Sequence, residues 1–561
     1  MSAEFQYQRL VWVAIAAGTA LLVASPVFVI LSSIFVDSGE VWHHLVTTVL
    51  PDYIGNSLGL MIGVALGTTC IGVTTAWLVT TCSFPGVNWL TWALLLPMAA
   101  PSYILAYTYT ELLDYYGPVQ TWIRTIYHWD SATDYWFPPI RSLWGAISLL
   151  TLVLYPYVYL LARSAFLNQS ILILEASRSL GCNPWHSFFR VALPMARPGI
   201  MAGLALALME TLNDFGTVDY FAIPTFTTGI YRTWFNMGER LAASQLAACL
   251  LAFVIGLVIL ERISRGQAKY FQPYHPQSSS APFLLRGWRG VAAFLICVVP
   301  LLLGFLCPAG VLLQMTWENW QTTLNDEYWM WAWHSLTLAI MTAFIAVIVA
   351  LILCYGQRLY PTWSTRLATL VAAMGYGIPG SVIAVGILFP IGTLDNGIDA
   401  WSRANLGIST GLLLSGTLTA TIFAYLVRFL AVSINSVDSN LLKIQPSLDE
   451  AARSLGHGTI STLFRIHFPL LRSGLLTAMT LVFVDVMKEL PATIIVRPFN
   501  YDTLAVRVYN LAADERLGEA AGAALTIVAV GLLPVILMSW QSSRLLPVPQ
   551  RDPLGVGEAA D

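Results

Sequence analysis

The sequence predicts an all-α protein that crosses a membrane about twelve times. Three observations carry that expectation. Of 561 residues, 57% are hydrophobic and 11% charged, where a typical soluble domain is roughly a quarter charged. Apolar runs of the ~20 residues that a helix needs to span a bilayer recur along the chain. Those runs fall into two groups of six, separated by a polar stretch.

Taken in order, the first six runs lie near 11–35, 54–80, 89–112, 142–162, 198–217 and 244–261. Only Arg9 precedes the first of them as a basic residue, and no small-residue cleavage site follows, so it is expected to be a retained span. Residues 262–290, which include "PYHPQSSSAP", read as a linker. The second six lie near 291–315, 334–355, 367–391, 408–431, 473–492 and 520–541. The expected organisation is a first unit over 1–261, a cytoplasmic linker over 262–290, a second unit over 291–545 and a cytoplasmic tail over 546–561. Seven scattered Cys with no C-x-x-C pair read as packing residues. No basic run exists and only three Lys occur, so nothing points to nucleic acid.

Arg and Lys choose the sides. With both termini in the cytoplasm, most of the 28 basic residues face inward, and most acids face outward. Arg163, Arg178, Arg190 and Arg197 mark one inner loop; Arg428, Lys443, Arg453, Arg465 and Arg472 mark its counterpart. The outer segments carry Asp37, Glu40 and Asp52; Asp114, Asp130 and Asp134; and Glu318, Asp326 and Glu327, which read for the most part as a solvated outer surface, with contact to basic residues of a delivery protein as the alternative. His43–His44 is too slight a pattern to specify a metal site.

The two groups are copies. "PSYILA" from Pro101 answers "PGSVIA" from Pro379, 278 residues later, and "EASRSLG" from Glu175 answers "EAARSLG" from Glu450, 275 residues later. Residues 175–194 and 450–469 agree at nine of twenty positions. Each copy reads as a short helix stopped by a glycine suited to the left-handed region, Gly181 or Gly456. A second short helix follows, started by Asn183–Pro184 in one copy and capped by Thr459 in the other. It is expected to end at Pro194 or Pro469 before the next span. The alternative, a loop lying on anionic headgroups, does not account for two identical Glu-to-Gly and Gly-to-Pro intervals. A knob shaped for a partner's groove does, and its duplication implies two copies of that partner.

"EASRSLGCNPWHSFFRVALP" and "EAARSLGHGTISTLFRIHFP" resemble the E-A-A…G…P loop of ABC-importer permeases, over loops 170–197 and 440–472. The resemblance implies two homologous six-helix units of the type I ABC-importer fold. It also implies docking on a homodimer of a cytoplasmic ABC ATPase through Glu175, Ala176, Gly181 and Pro194 and through Glu450, Ala451, Gly456 and Pro469. Ser177 departs from the second copy, which has Ala452 there. One copy of the chain per transporter, in a bacterial inner membrane, is implied as well. None of Lys269, Lys443 and Lys488 follows a glycine, so the chain lacks G-x-x-x-x-G-K-[ST] and is expected to need no cofactor of its own. ATP and Mg would serve the partner ATPase.

The fifth run of each group holds acids at matching places: Glu210 and Asp214, then Asp485 and Glu489. Each pair is spaced i,i+4 and is expected on one helix face. Carboxylates within spans cost several kcal/mol unless paired or hydrated, which makes them candidates for a transport pathway. Four such acids facing one another suit the transient passage of a hard cation by oxygen coordination. The other reading pairs them structurally with Lys488, Arg232 or Arg507. The phrases "NDFGTV" and "DVMKELPAT" resemble the ferric-iron branch of the family, which implies iron(III) delivered by a periplasmic binding protein. Thiamine, polyamine or phosphonate-like cargo on the same machinery, and an ion-coupled secondary transporter, are the alternatives. A membrane enzyme is disfavoured, since H-E-x-x-H and clustered His or Cys are missing from the sequence.

Overall fold

The computed structural model describes residues 3–37, 39–169, 181, 183–265 and 283–543. It is helical almost throughout, and eleven of the described helices are long and apolar enough to span a membrane. A twelfth span is counted if the bent pair Val87–Ala99 and Ser102–Tyr127, which meet at 90°, is one crossing. Proline explains the bend. Pro97 lies within a 3₁₀ turn, Leu96–Ala99, Pro101 follows it, and the chain resumes as the helix Ser102–Leu113. The second half repeats this: Trp363–Ala372, a 3₁₀ turn Met374–Gly377, Pro379, then Gly380–Leu406. The expected straight spans 89–112 and 367–391 are therefore both interrupted.

The expected span 408–431 also shifts. Its helix runs Leu418–Leu441, because residues before it are held as a loop by two aspartates of the preceding helix. Asp395 accepts from the Ser415 N–H at 2.7 Å and its hydroxyl at 2.6 Å, and Asp399 accepts from the Thr410 N–H at 2.8 Å.

Close packing follows from small residues. Along Leu50–Thr81, Gly63, Gly67 and Gly72 face the helix Leu143–Leu167 so tightly that an added Cβ would come within 2.6 Å of Ile147, 2.5 Å of Thr151 and 2.8 Å of Val158. Spacings of four and five residues keep that stripe on one face, which lets two backbones approach where lipid offers no hydrophobic drive. In the second half, fully buried Ala339, Ala343, Ala346 and Ala350 take that role on Asp326–Leu359.

The halves are interleaved. The first helix, Ala3–Ser33, packs on Trp363–Ala372 and Gly380–Leu406 of the second half. Reciprocally, Trp288–Leu301 and the π turn after it lean on the first half, where the Tyr109 hydroxyl donates to Leu303 O at 2.5 Å. Cys82–Ser83 and Phe283–Leu284 add a short parallel strand pair between halves. Most of the expected linker and all of the expected tail lie outside the described residues.

Candidate functional site

The acids of the fifth runs converge, although not as continuous helix faces. Leu193–Asn213 stops before Asp214, whose backbone is extended (φ −60°, ψ 128°). Phe468–Lys488 stops before Glu489 in the same way (φ −70°, ψ 120°). The i,i+4 expectation thus needs correcting: the second acid of each pair lies beyond the helix end. Its chemistry explains why. Asp214 accepts from the Thr217 N–H (3.0 Å), the Val218 N–H (3.2 Å) and the Thr217 hydroxyl (2.9 Å), and also from the Ser102 hydroxyl. It caps the short helix Gly216–Tyr220. Glu489 accepts from the Ala492 N–H at 3.0 Å and caps Pro491–Val496.

Between these breaks lies a cavity of about 130 Å³. Glu210, Asp214, Asp485 and Glu489 all line it, together with Arg428 and Lys488. Arg428 was assigned to the inner loop from sequence; it sits instead inside its helix, 5% exposed, with its Nη1 3.3 Å from Glu489 Oε1. The same nitrogen donates to Asn213 Oδ1 at 2.8 Å, and that oxygen also accepts from the Gly380 N–H at 2.8 Å. One amide of the first half thereby holds two groups of the second. Gly380 has to be glycine here, since a Cβ would lie 2.5 Å from Arg428 Nη1 and 2.7 Å from Glu489 Oε1. Lys488 Nζ lies 3.9 Å from Asp485, whereas Arg232 and Arg507 are absent from the lining.

The four acids divide into two kinds. Asp214 and Glu489 are buried and committed to backbone and side-chain donors. Glu210 and Asp485 are half-buried and more loosely held, Glu210 by Asn213 at 3.5 Å and Asp485 by Lys488. Tyr157 and Tyr376 line the cavity as well. Among the described residues no three His, Cys, Asp or Glu side chains form a metal-holding group. The acids line the cavity and do not build a closed cage, and among the described residues His43–His44 gains no third ligand.

The repeated loops are described in part: Glu175 and Ala176 lie outside the described residues. Gly181 and Gly456 both adopt the left-handed region, at φ 83° and 78°. Around Gly456 the N–H groups of Gly456 and His457 donate to Arg453 O and Ala452 O, each at 3.0 Å, the paired bonds of a Schellman stop. Asn183 caps its helix as expected, accepting from the His186 N–H at 2.8 Å. Thr459 does not cap the other copy; Gly458 holds that position. Nor does the second helix end at the proline. Each copy continues through a π turn, Phe188–Ala192 or Leu463–His467, into the next span. A third π turn, Leu302–Leu306, likewise ends two residues before a proline, Pro308. The missing proline N–H and the bulk of its ring open the turn before it.

Glu450, Ala451, Gly456, Pro194 and Pro469 are exposed. Beside them Leu455 (77%), Ile460 (68%) and Phe464 (61%) present bare apolar surface. The loop beneath is anchored by Arg358, which donates to Asp449 at 2.8 Å and to Leu441 O at 2.6 Å. His467 Nε2 lies 2.7 Å from Asp449 Oδ1. The first copy has Ala192 where the second has His467, and its support is aromatic, with Trp77 against Phe166 and Phe188. Sequence reading missed this ionic lock.

Residues 59–269 match the family model described as the binding-protein-dependent transport system inner membrane component. Similarity extends beyond that stretch. The chain is 23% identical over 499 residues to the Fe(3+)-transport system permease protein FbpB 2 of Haemophilus influenzae, covering 87% of this chain and 90% of that one. It is 29% identical over 208 residues to the molybdenum transport system permease protein ModB of Escherichia coli K12, covering 35% and 87%. A putative 2-aminoethylphosphonate transport system permease protein, PhnV of Salmonella typhimurium, is 26% identical over 264 residues, covering 45% and 92%. These last two relatives are matched nearly whole by less than half of this chain, in keeping with a chain built from a doubled unit.

Proposed function

We propose that this permease passes ferric iron, handed over by an external binding protein, through the cavity between its halves. A separate homodimeric ATPase drives it by gripping the two repeated loops. The charge of the lining is the observation that carries the cargo assignment: four carboxylates face two cations. An excess of negative charge with oxygen donors suits a hard trivalent cation and opposes oxyanions such as molybdate or a phosphonate. The FbpB relative, similar over most of both chains, supports the same cargo.

In this reading Glu210 and Asp485, related by the 275-residue repeat, attract and pass the ion. Asp214 and Glu489 hold the chain breaks that give the passage its shape. Arg428 and Lys488 offset part of the negative charge while the passage is empty. The bare apolar surface beside Gly456 supports a docking role for its loop, since such a patch normally has a partner. Docking of a loaded binding protein outside and closure of the ATPases inside bias one scaffold, so each must favour the other.

The test is reconstitution of the permease with its ATPase and binding protein in vesicles. Binding protein loaded with iron(III) should stimulate ATP hydrolysis and deliver iron to the lumen. Stimulation by a molybdate- or phosphonate-loaded protein, with none by the ferric form, overturns the cargo assignment.

A further inference from the structure

A second, larger cavity lies apart from the acids. It measures about 1090 Å³ and runs between the first helix, Ala3–Ser33, the helix Arg240–Arg265 and the second half's Met374–Gly377 turn. Its walls are Val23, Val27, Leu206, Val254 and Val258 with similar apolar neighbours, and among the described residues Arg262 is its one charged lining group. Several walls face outward: Phe28 is 62% exposed, Ile259 51% and Met374 59%. The cavity therefore opens sideways, between spans, into what surrounds the permease.

Position along the spans is set by Arg197, whose Nη2 lies 3.5 Å from Ser264 Oγ. Arg197 ends the first repeated loop, so Arg262 sits at the end of the bundle that carries those loops. Arg262 is exposed and has no ion pair among the described residues. A trivalent cation has no business in such a groove, because its lining offers almost no oxygen donor. A groove of this size left empty would forfeit the dispersion contacts of all its walls.

We propose that the groove is a binding site for an anionic phospholipid of the leaflet on the loop side. One acyl chain lies between Val23, Val254 and Val258, and the phosphate rests on Arg262. Charge complementarity selects the headgroup: a basic side chain at the membrane surface attracts anionic lipid, and a long apolar stem lets it reach the phosphate plane. The buried end of the chain touches Tyr376, which also lines the acidic cavity. A bound lipid thus buttresses the back of the turn that separates the two cavities.

The probe is the full-length permease in nanodiscs of phosphatidylglycerol or of phosphatidylcholine, with retained lipid counted by native mass spectrometry after detergent release. One phosphatidylglycerol per chain should persist, and phosphatidylcholine should not. Arg262→Glu should weaken retention about tenfold, since it replaces headgroup attraction by repulsion, and Arg262→Lys should largely keep it. Val258→Trp should displace the lipid by filling the groove. Equal retention of the two lipids, unchanged retention in Arg262→Glu, or full retention in Val258→Trp overturns the site. Arg262 is exposed, so its variants test binding without disturbing the fold.

Discussion

Arg428→Met should be among the most destabilising single substitutions in the chain, and Glu489→Gln added to it should repair about half of the damage. The two charged atoms are 3.3 Å apart and both side chains are 5% exposed. At an effective dielectric of ~20 their attraction is about 5 kcal/mol, set against a desolvation cost of similar size. Removing the arginine leaves Glu489 buried with the Ala492 N–H as its remaining close donor, a loss of about 3–5 kcal/mol. Glu489→Gln alone strands Arg428, at comparable cost. The double variant Arg428→Met/Glu489→Gln removes both charges together, and its remaining cost is the Arg428–Asn213 bond, worth about 1.5–3 kcal/mol. With about 4 kcal/mol lost in each single variant and about 2 in the double, the coupling energy between the two sites is about 6 kcal/mol. Unfolding of the four proteins in mixed micelles, titrated with a denaturing detergent and followed by tryptophan fluorescence, measures it. Single-variant losses that simply add, with coupling under about 0.5 kcal/mol, would refute a buried pair that depends on mutual neutralisation.

Two further outcomes follow from the same geometry. Glu210→Gln with Asp485→Asn should cut iron delivery by tenfold or more while unfolding midpoints stay near wild type, whereas Asp214→Asn should lower the midpoint by about 1–2 kcal/mol through its lost caps; equal midpoint losses in both would return all four acids to a structural role. Gly456→Val should strain a left-handed residue by about 1–2 kcal/mol and disrupt a Schellman stop in an exposed loop, so co-purification of the ATPase should fall while membrane insertion is kept.

The spans were legible because hydrocarbon demands length, and length is written in apolar runs. The repeated loop was legible because two copies of a polar phrase stand out from such a background. What escaped was the difference between a straight helix and one broken part-way. Residues 89–112 are apolar either way, and only Pro97 and Pro101, at a 3₁₀ turn, tell the two apart. Hydropathy averages over that signal. The second break, at Met374–Gly377, was hidden for the same reason.

Arg428 shows how one local error travels. Reading 408–431 as a span put the arginine at an inner end, where the charge rule welcomes it. Two aspartates, Asp395 and Asp399, pull residues 409–415 back onto the preceding helix through hydrogen bonds that no pattern of hydrophobicity reveals. The helix starts at Leu418, and the same arginine is then ten residues deep. At that depth a charge requires a partner, which turns Glu489 from a free pathway ligand into half of an ion pair. Val153 stands at the equivalent place in the first half, so that half has no cation to match, and Asp214 is satisfied by hydroxyl and backbone donors instead. The two halves therefore present unequal faces to one cavity: Glu210 and Asp214 of the first half have no cation from their own half beside them, whereas Asp485 and Glu489 of the second lie beside Lys488 and Arg428. Duplication supplied the frame, and the departures from it are where the charge of the cavity is set.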